Sequence, residues 1–186
     1  MRALQMTQVF VLCTGRCGSK TFTRAAEHMT NFTAKHESRT HLLGANRFAY
    51  PVNHIEIDNR LAWWTGKLNQ AYGDTPFYVH LTRDRDAVIK SYVARKNYGL
   101  VKAYRETMLC NLPLRKPNTD ITAIAEDLVD TITSNITYFL RDKTRVMQMR
   151  METMEQDFPA FWDWVSAKGD LAAAMTEWTV RHNATE

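Results

Sequence analysis

Cysteine is scarce and odd in number: Cys13, Cys17 and Cys110 are the only three in 186 residues. A chain of this length can bury a core without covalent staples, so a disulfide framework is excluded. The three thiols are read as reduced, in a cytoplasmic protein. No paired histidines complete a zinc pattern around Cys13 and Cys17, and no metal is expected. Long apolar runs are missing too. The run over 9–13 is too short for the core of a secretion signal, and nothing nears the length of a membrane span. Without such a signal the N-x-S/T sequons at Asn31, Asn135 and Asn183 carry no meaning. Charge of one sign is not in excess: 24 Lys and Arg against 20 Asp and Glu leave a net charge of +4. That mildly favours an anionic ligand and is too weak and too scattered for a nucleic-acid protein. There is no internal repeat, no low-complexity stretch and no linker, so one domain over 1–186 is expected.

What is present is concentrated near the N-terminus. Val9-Phe10-Val11-Leu12-Cys13 forms a continuous apolar run, as expected for a parallel strand covered on both faces. Gly15 and Gly18 follow. Ser19 then opens an apolar pattern at Phe22, Ala25, Ala26 and Met29, which is helical spacing. Strand, glycine turn and helix start direct free N–H groups and a helix dipole at one spot, which suits a phosphate. Arg16, Lys20, Ser19 and Thr21 crowd the same turn. The Walker A pattern G-x-x-x-x-G-K-S/T, anchored on Lys20-Thr21, requires glycines at positions 14 and 19. Those positions hold Thr14 and Ser19, so any phosphate loop here has another register. The competing reading is a basic turn with no ligand.

Further along, a strand is expected over 8–14, a helix over 19–29 and a short strand over 32–36. Residues 38–57, with His41, Gly44, Pro51 and His54, have no clear period and read as a long loop. Asp58 is placed to cap a helix to about Tyr72. A strand over 77–82 precedes a helix to about Lys96, capped by Asp84 or Asp86. Residues 97–118 are irregular, basic and aromatic, with Tyr98, Lys102, Tyr104, Arg105, Arg115 and Lys116, broken by Pro113 and Pro117. They read as a polar lid or a solvated loop. The cleanest periodicity is Ile121, Ile124, Leu128, Ile132, Ile136 and Phe139, a core stripe on a helix over 120–142. A last strand over 145–149, a helix beginning at Asp157-Phe158-Pro159 and a short helix over 171–180 complete the chain. Alternating strands and helices imply an α/β protein with a parallel sheet wrapped on both sides, whose ligands bind at the carboxyl ends of the strands.

Arg83 ends the strand over 77–82, and Ser91 lies eight residues on, in the next helix. Alone, such an Arg is usually a salt-bridge partner and such a Ser is solvated. Together, after a glycine turn, they offer a rigid fork and a hydroxyl to a second phosphate. Here the chain resembles the sulfotransferases that use 3′-phosphoadenosine 5′-phosphosulfate (PAPS). Gly15-Arg16-Cys17-Gly18-Ser19-Lys20-Thr21 is similar to their 5′-phosphate loop, often G-R-S-G-S/T-S/T. Arg83 and Ser91 match the spacing of their 3′-phosphate motif. The stretch 146–154 is similar to their late strand with its following R-y-E-d-L segment, and Arg181-His182-Asn183-Ala184 to the polar tail of bacterial members. Lys20 departs from the pattern, standing where Ser or Thr is usual.

The resemblance implies a three-layer α/β/α, P-loop NTPase-like sulfotransferase fold in a short bacterial-type chain. It implies transfer of a sulfuryl group from PAPS to a hydroxyl or amine of a small-molecule or glycan acceptor, releasing adenosine 3′,5′-bisphosphate (PAP), with no metal. The 5′ side falls to Arg16, Lys20 and residues Cys17, Gly18, Ser19 and Thr21, and the 3′-phosphate to Arg83 and Ser91. Proton removal from the acceptor requires a base. His36 and Glu37 lead, with His41, His54 and Glu56 behind them. An ATP- and Mg²⁺-dependent P-loop kinase or NTPase, or a non-catalytic nucleotide binder, stands as the alternative.

Overall fold

The computed structural model describes residues 7–109 and 120–180. Cys110, Pro113, Arg115, Lys116, Pro117 and the closing Arg181-His182-Asn183-Ala184 lie outside the described residues.

Five strands form one sheet: β1 (Gln8–Leu12), β2 (Thr33–His36), β3 (His54–Ile57), β4 (Phe77–Thr82) and β5 (Val146–Arg150). Their order is β2-β3-β1-β4-β5, and every pairing is parallel. The apolar run occupies the centre, and Val9 to Leu12 are wholly buried. Helices cover both faces: α1 (Ser19–Ala26), α2 (Thr65–Tyr72), α3 (Arg85–Val93), α4 (Gly99–Ala103), α5 (Ile121–Leu140), α6 (Met154–Trp164) and α7 (Leu171–Thr176). Aromatic rings bind the two layers to the sheet. Phe22 of α1 meets Phe158 and Phe161 of α6 edge-on at 5.4 and 5.2 Å. Phe10 packs against Tyr72 at 4.9 Å, and Tyr78 against Phe139 of α5 at 5.2 Å. Such geometries add about 0.5–1.5 kcal/mol per pair beyond area burial. On α5 the stripe buries Ile124, Leu128, Ile132 and Ile136, and Asp120 caps it through the N–H groups of Thr122 and Ala123. Among the described residues no helix is long and apolar enough to cross a membrane.

The differences from expectation are local. The stretch read as an unbroken loop contains β3 and a 3-10 turn at Gly44–Phe48. β3 reads His-Ile-Glu-Ile, and all four residues are buried. A carboxylate and an imidazole argue against a buried strand unless partners lie elsewhere in the chain, as they do here. Asp58 caps a 3-10 turn, Asn59–Trp63, and α2 starts afresh at Thr65. Asp84 rather than Asp86 caps α3, accepting from the Ala87 N–H at 2.8 Å. α6 begins at Met154 and carries Pro159 inside it. The stretch after Asn97 holds α4 and a π-helical turn, Tyr104–Met108.

Candidate functional site

The loop between β1 and α1 turns through three left-handed residues, Gly15, Arg16 and Gly18, at φ 81°, 61° and 81°. A Cβ on Gly15 would lie 2.5 Å from Asn59 Nδ2 and 2.7 Å from Tyr92 Oη, so the position has no room for a side chain. Gly18 ends the loop as the residue before α1. It gives no side-chain cap, and no acidic residue stands in the first turn. Among the described residues no side chain caps the first N–H groups of α1, and the positive end of the helix dipole lies behind them. We expect Gly15→Ala to cost at least about 1–2 kcal/mol from the left-handed backbone alone. In thermal denaturation this lowers Tm by about 3–8 °C.

The second expected element lies against the first. β4 neighbours β1, so Arg83 follows directly beside the loop. Arg83 Nη1 donates to the Arg16 carbonyl at 3.1 Å, and Arg16 Nε donates to Ser91 Oγ at 2.8 Å. Arg16 was assigned to one phosphate seat and Arg83 with Ser91 to another; the structure joins the three into one cluster. Burial, and then the nearby charge of Arg95, pull the Arg16 guanidinium below its ordinary value, with Arg83 adding to the effect. Cations gathered this closely repel one another, and a polyanion relieves the repulsion. Lys20 is exposed on the outer side of the first turn.

Cys17 is buried in the loop, its sulfur 3.0 Å from Thr14 Oγ1 and donating to the Gly15 carbonyl at 3.1 Å. Its hydrogen bond from Cys13 lowers the Cys17 thiol from its ordinary value, while the same bond and burial hold Cys13 well above. Both are free thiols. They support the loop from beneath and leave its mouth to backbone groups.

His36 ends β2, two strands from β1, yet its ring reaches the loop: Nε2 lies 3.0 Å from Ser19 Oγ. Loss of solvent pulls its imidazole below 6.5, outweighing the raising effect of Glu37. His80 on β4 is also held low, by burial. A histidine whose folded value lies below its unfolded one binds fewer protons when folded. Stability therefore rises with pH through the window below 6.5, and falls on acidification. Chemical denaturation from pH 7.5 to 5 is expected to follow that trend, and His36→Gln and His80→Gln each to flatten it.

The other base candidates are engaged or remote. Glu37, in the left-handed region at φ 51°, pairs with Arg60. Glu56 is fully buried and accepts from Ser38 and His54, while His54 also meets Thr33. His41 is exposed on the way to the 3-10 turn at Gly44–Phe48.

Sequence reasoning missed three parts of the site. Asn59 abuts Gly15, and its Oδ1 is buried without a partner among the described residues. Tyr92 donates from α3 to the Thr14 carbonyl, bracing the loop. A cavity of about 540 Å³ opens beside the loop, lined by Met151, Glu152, Met154, Met175, Trp178 and Thr179. Met151 Sδ lies 3.2 Å from where a Gly18 Cβ would stand, so cavity and loop adjoin. Met151 and Met154 lie in the stretch 146–154 matched to the late-strand segment, but nothing in the sequence marked them, or Met175 and Trp178, as lining a cavity.

No protein-family model matches the chain, and a comparison with curated proteins finds no match. The fold, however, has solved counterparts. A sulfotransferase domain from the curacin biosynthetic pathway superposes with a TM-score of 0.66 at 13% identity, covering 92% of this chain and 77% of that one. Mouse sulfotransferase SULT7A1 complexed with PAP superposes with a TM-score of 0.56 at 12% identity, covering 92% of this chain and 62% of the mouse protein. The chain has the α/β fold of sulfotransferases, a central parallel sheet with helices on both sides.

Proposed function

We propose that this protein is a PAPS-dependent sulfotransferase acting on a hydroxyl or amine of a small-molecule or glycan acceptor. The observation that carries the reading is the union of Arg16, Arg83 and Ser91 beside an uncapped helix N-terminus. The loop and the Arg83–Ser91 pair adjoin, so one nucleotide can reach both, and the resemblance assigns one phosphate to each. The 3′-phosphate falls to Arg83 and Ser91, and the 5′-phosphosulfate to the N–H groups of 18–21, with Arg16 between them and Lys20 at the edge. The adenine is assigned to the cavity beyond Gly18, where Met151 and Trp178 offer apolar faces. A PAP complex of mouse SULT7A1, a fold relative, supports the choice of nucleotide.

In the transfer, the acceptor oxygen or nitrogen forms a bond to sulfur as the bond from sulfur to the 5′-phosphate oxygen breaks. Negative charge gathers on that leaving oxygen, where the loop N–H groups and Arg16 stabilise it. The acceptor proton goes to His36, which burial keeps neutral near pH 7. Ser19 Oγ holds His36 Nε2 in the free protein, and a phosphate at the helix N-terminus offers the Ser19 hydroxyl a stronger acceptor. That exchange frees Nε2 for the acceptor. We assign the base to His36 rather than Glu37 because Arg60 already pairs with the Glu37 carboxylate.

Thermal denaturation without magnesium tests the reading. PAP at about 100 times its Kd is expected to add about 2.7 kcal/mol, raising Tm by about 5–10 °C. A shift with ATP and Mg²⁺ and none with PAP would instead favour the kinase reading. A PAP shift without sulfuryl transfer to any of a panel of alcohols, amines and sugars would leave a nucleotide binder.

A further inference from the structure

Glu56 is wholly buried, yet it faces the chain directly after the proposed base. Its Oε1 accepts the Ser38 N–H at 2.7 Å, and its Oε2 accepts the Ser38 hydroxyl at 2.6 Å. His54 Nε2 lies 3.0 Å from the same Oε2, and His54 Nδ1 lies 2.8 Å from Thr33 Oγ1. The hydrogen-bond inventory closes when Thr33 donates to Nδ1 and Nε2–H donates to Glu56. Both carboxylate oxygens are then satisfied by donors, as a buried carboxylate requires. The Glu37 N–H also donates to the Ile57 carbonyl at 3.0 Å, with Glu37 held left-handed at φ 51°. The turn leaving β2 is thus fixed to β3 through both backbone and side chain. His36 is the last residue of β2 before that turn, and its ring reaches across to Ser19 at 3.0 Å.

We propose that Glu56, steadied by His54, is a positioning residue: by clamping Ser38 it fixes the turn that aims His36 at the Ser19 end of the phosphate loop. The inference rests on the reading of His36 as base. It separates Glu56 and His54 from the candidate bases, since their polar atoms are committed to the clamp. A buried carboxylate bonded to a neighbouring strand holds a ring more rigidly than an exposed loop would, and misplacement by about 1 Å can lower turnover by about 100-fold.

The experiment compares wild type, Glu56→Ala and Glu56→Gln in the full chain, by kinetics, by PAP binding and by NMR titration of the His36 ring. Charged groups near that ring are Glu37, Lys20, Asp58 and Glu56 itself, so the titration is followed at constant ionic strength. For Glu56→Ala we expect kcat to fall by about tenfold, with PAP affinity kept within about twofold. Glu56→Gln loses the same negative charge but keeps an oxygen for the Ser38 N–H, so it should recover most of kcat and is the reference for the ring. Against that reference, the His36 value in Glu56→Ala should rise toward the solvated value near 6.5 as the ring gains water. A His36 titration in folded Glu56→Ala that matches that of Glu56→Gln overturns the proposal, as does a loss of kcat and PAP affinity in equal measure. If Glu56→Ala does not fold, Ser38→Ala removes one bond of the clamp and is read by the same criteria. The NMR arm needs no turnover. A wild type that binds PAP but transfers nothing defeats the sulfotransferase reading, and the titration still decides the clamp.

Discussion

His36→Ala should lower turnover by about 100- to 10,000-fold while PAP affinity stays within about twofold. The separation follows from position. Among the described residues the ring meets the loop through Ser19 Oγ, whereas in the proposed complex phosphate is held by the arginines and the N–H groups of the loop. Losing the ring removes a proton acceptor and leaves the anion seat intact. The wild-type profile of kcat/KM should rise with pH through a single step below 6.5, because desolvation holds His36 under its ordinary value. In the variant that step should vanish. If Glu37→Gln removes the step and His36→Ala does not, the base is Glu37, and its pairing with Arg60 must open during turnover. If neither variant slows transfer in a protein that still binds PAP, no base from the β2 terminus takes part.

Arg83→Ala should weaken PAP by about 100-fold and adenosine 5′-monophosphate by much less. A hydrogen bond to a charged partner contributes about 1.5–3 kcal/mol, and a guanidinium can make two to one phosphate. The 3′-phosphate is what distinguishes PAP from the monophosphate, so the selectivity ratio is the sensitive readout. Arg83 also donates to the Arg16 carbonyl, and its removal loosens the loop to some degree. Arg83→Lys separates the two effects: it keeps charge and loses the fork, and should recover affinity only in part. An unchanged preference for PAP in Arg83→Ala removes the basis for assigning the 3′-phosphate to this cluster. Equal losses for both nucleotides would indicate that Arg83 acts by shaping the loop.

The parts of the site legible in the sequence are those built from neighbouring residues. Gly15 and Gly18 bracket Arg16, and the turn geometry follows from what a backbone without Cβ can do. Arg83 and Ser91 were paired because they follow a glycine turn and match the eight-residue spacing of the family they resemble; Ser91 lies within α3. Glu56 was harder. A glutamate in the tetrapeptide His-Ile-Glu-Ile gives no sign of burial until Ser38 and His54 supply its hydrogen bonds, eighteen and two residues away. β3 was therefore read as loop. The cavity at Met151 and Trp178 was illegible for a related reason: it is assembled from the 3-10 turn after β5, the start of α6, α7 and the 3-10 turn that follows it, whose contact depends on how the helices pack.

By itself the sequence determined the α/β alternation, the central apolar strand and a helix start directly after a glycine turn, since each is a property of a few consecutive residues and their periodicity. Only the tertiary structure decided that Arg83 meets Arg16, that His36 at the end of β2 meets Ser19 of α1, and that Glu56 bonds the turn beside it. The reason is physical: strand order in a parallel sheet is set by burial of whole faces and by crossover packing, and no local run of residues encodes which strand ends become neighbours.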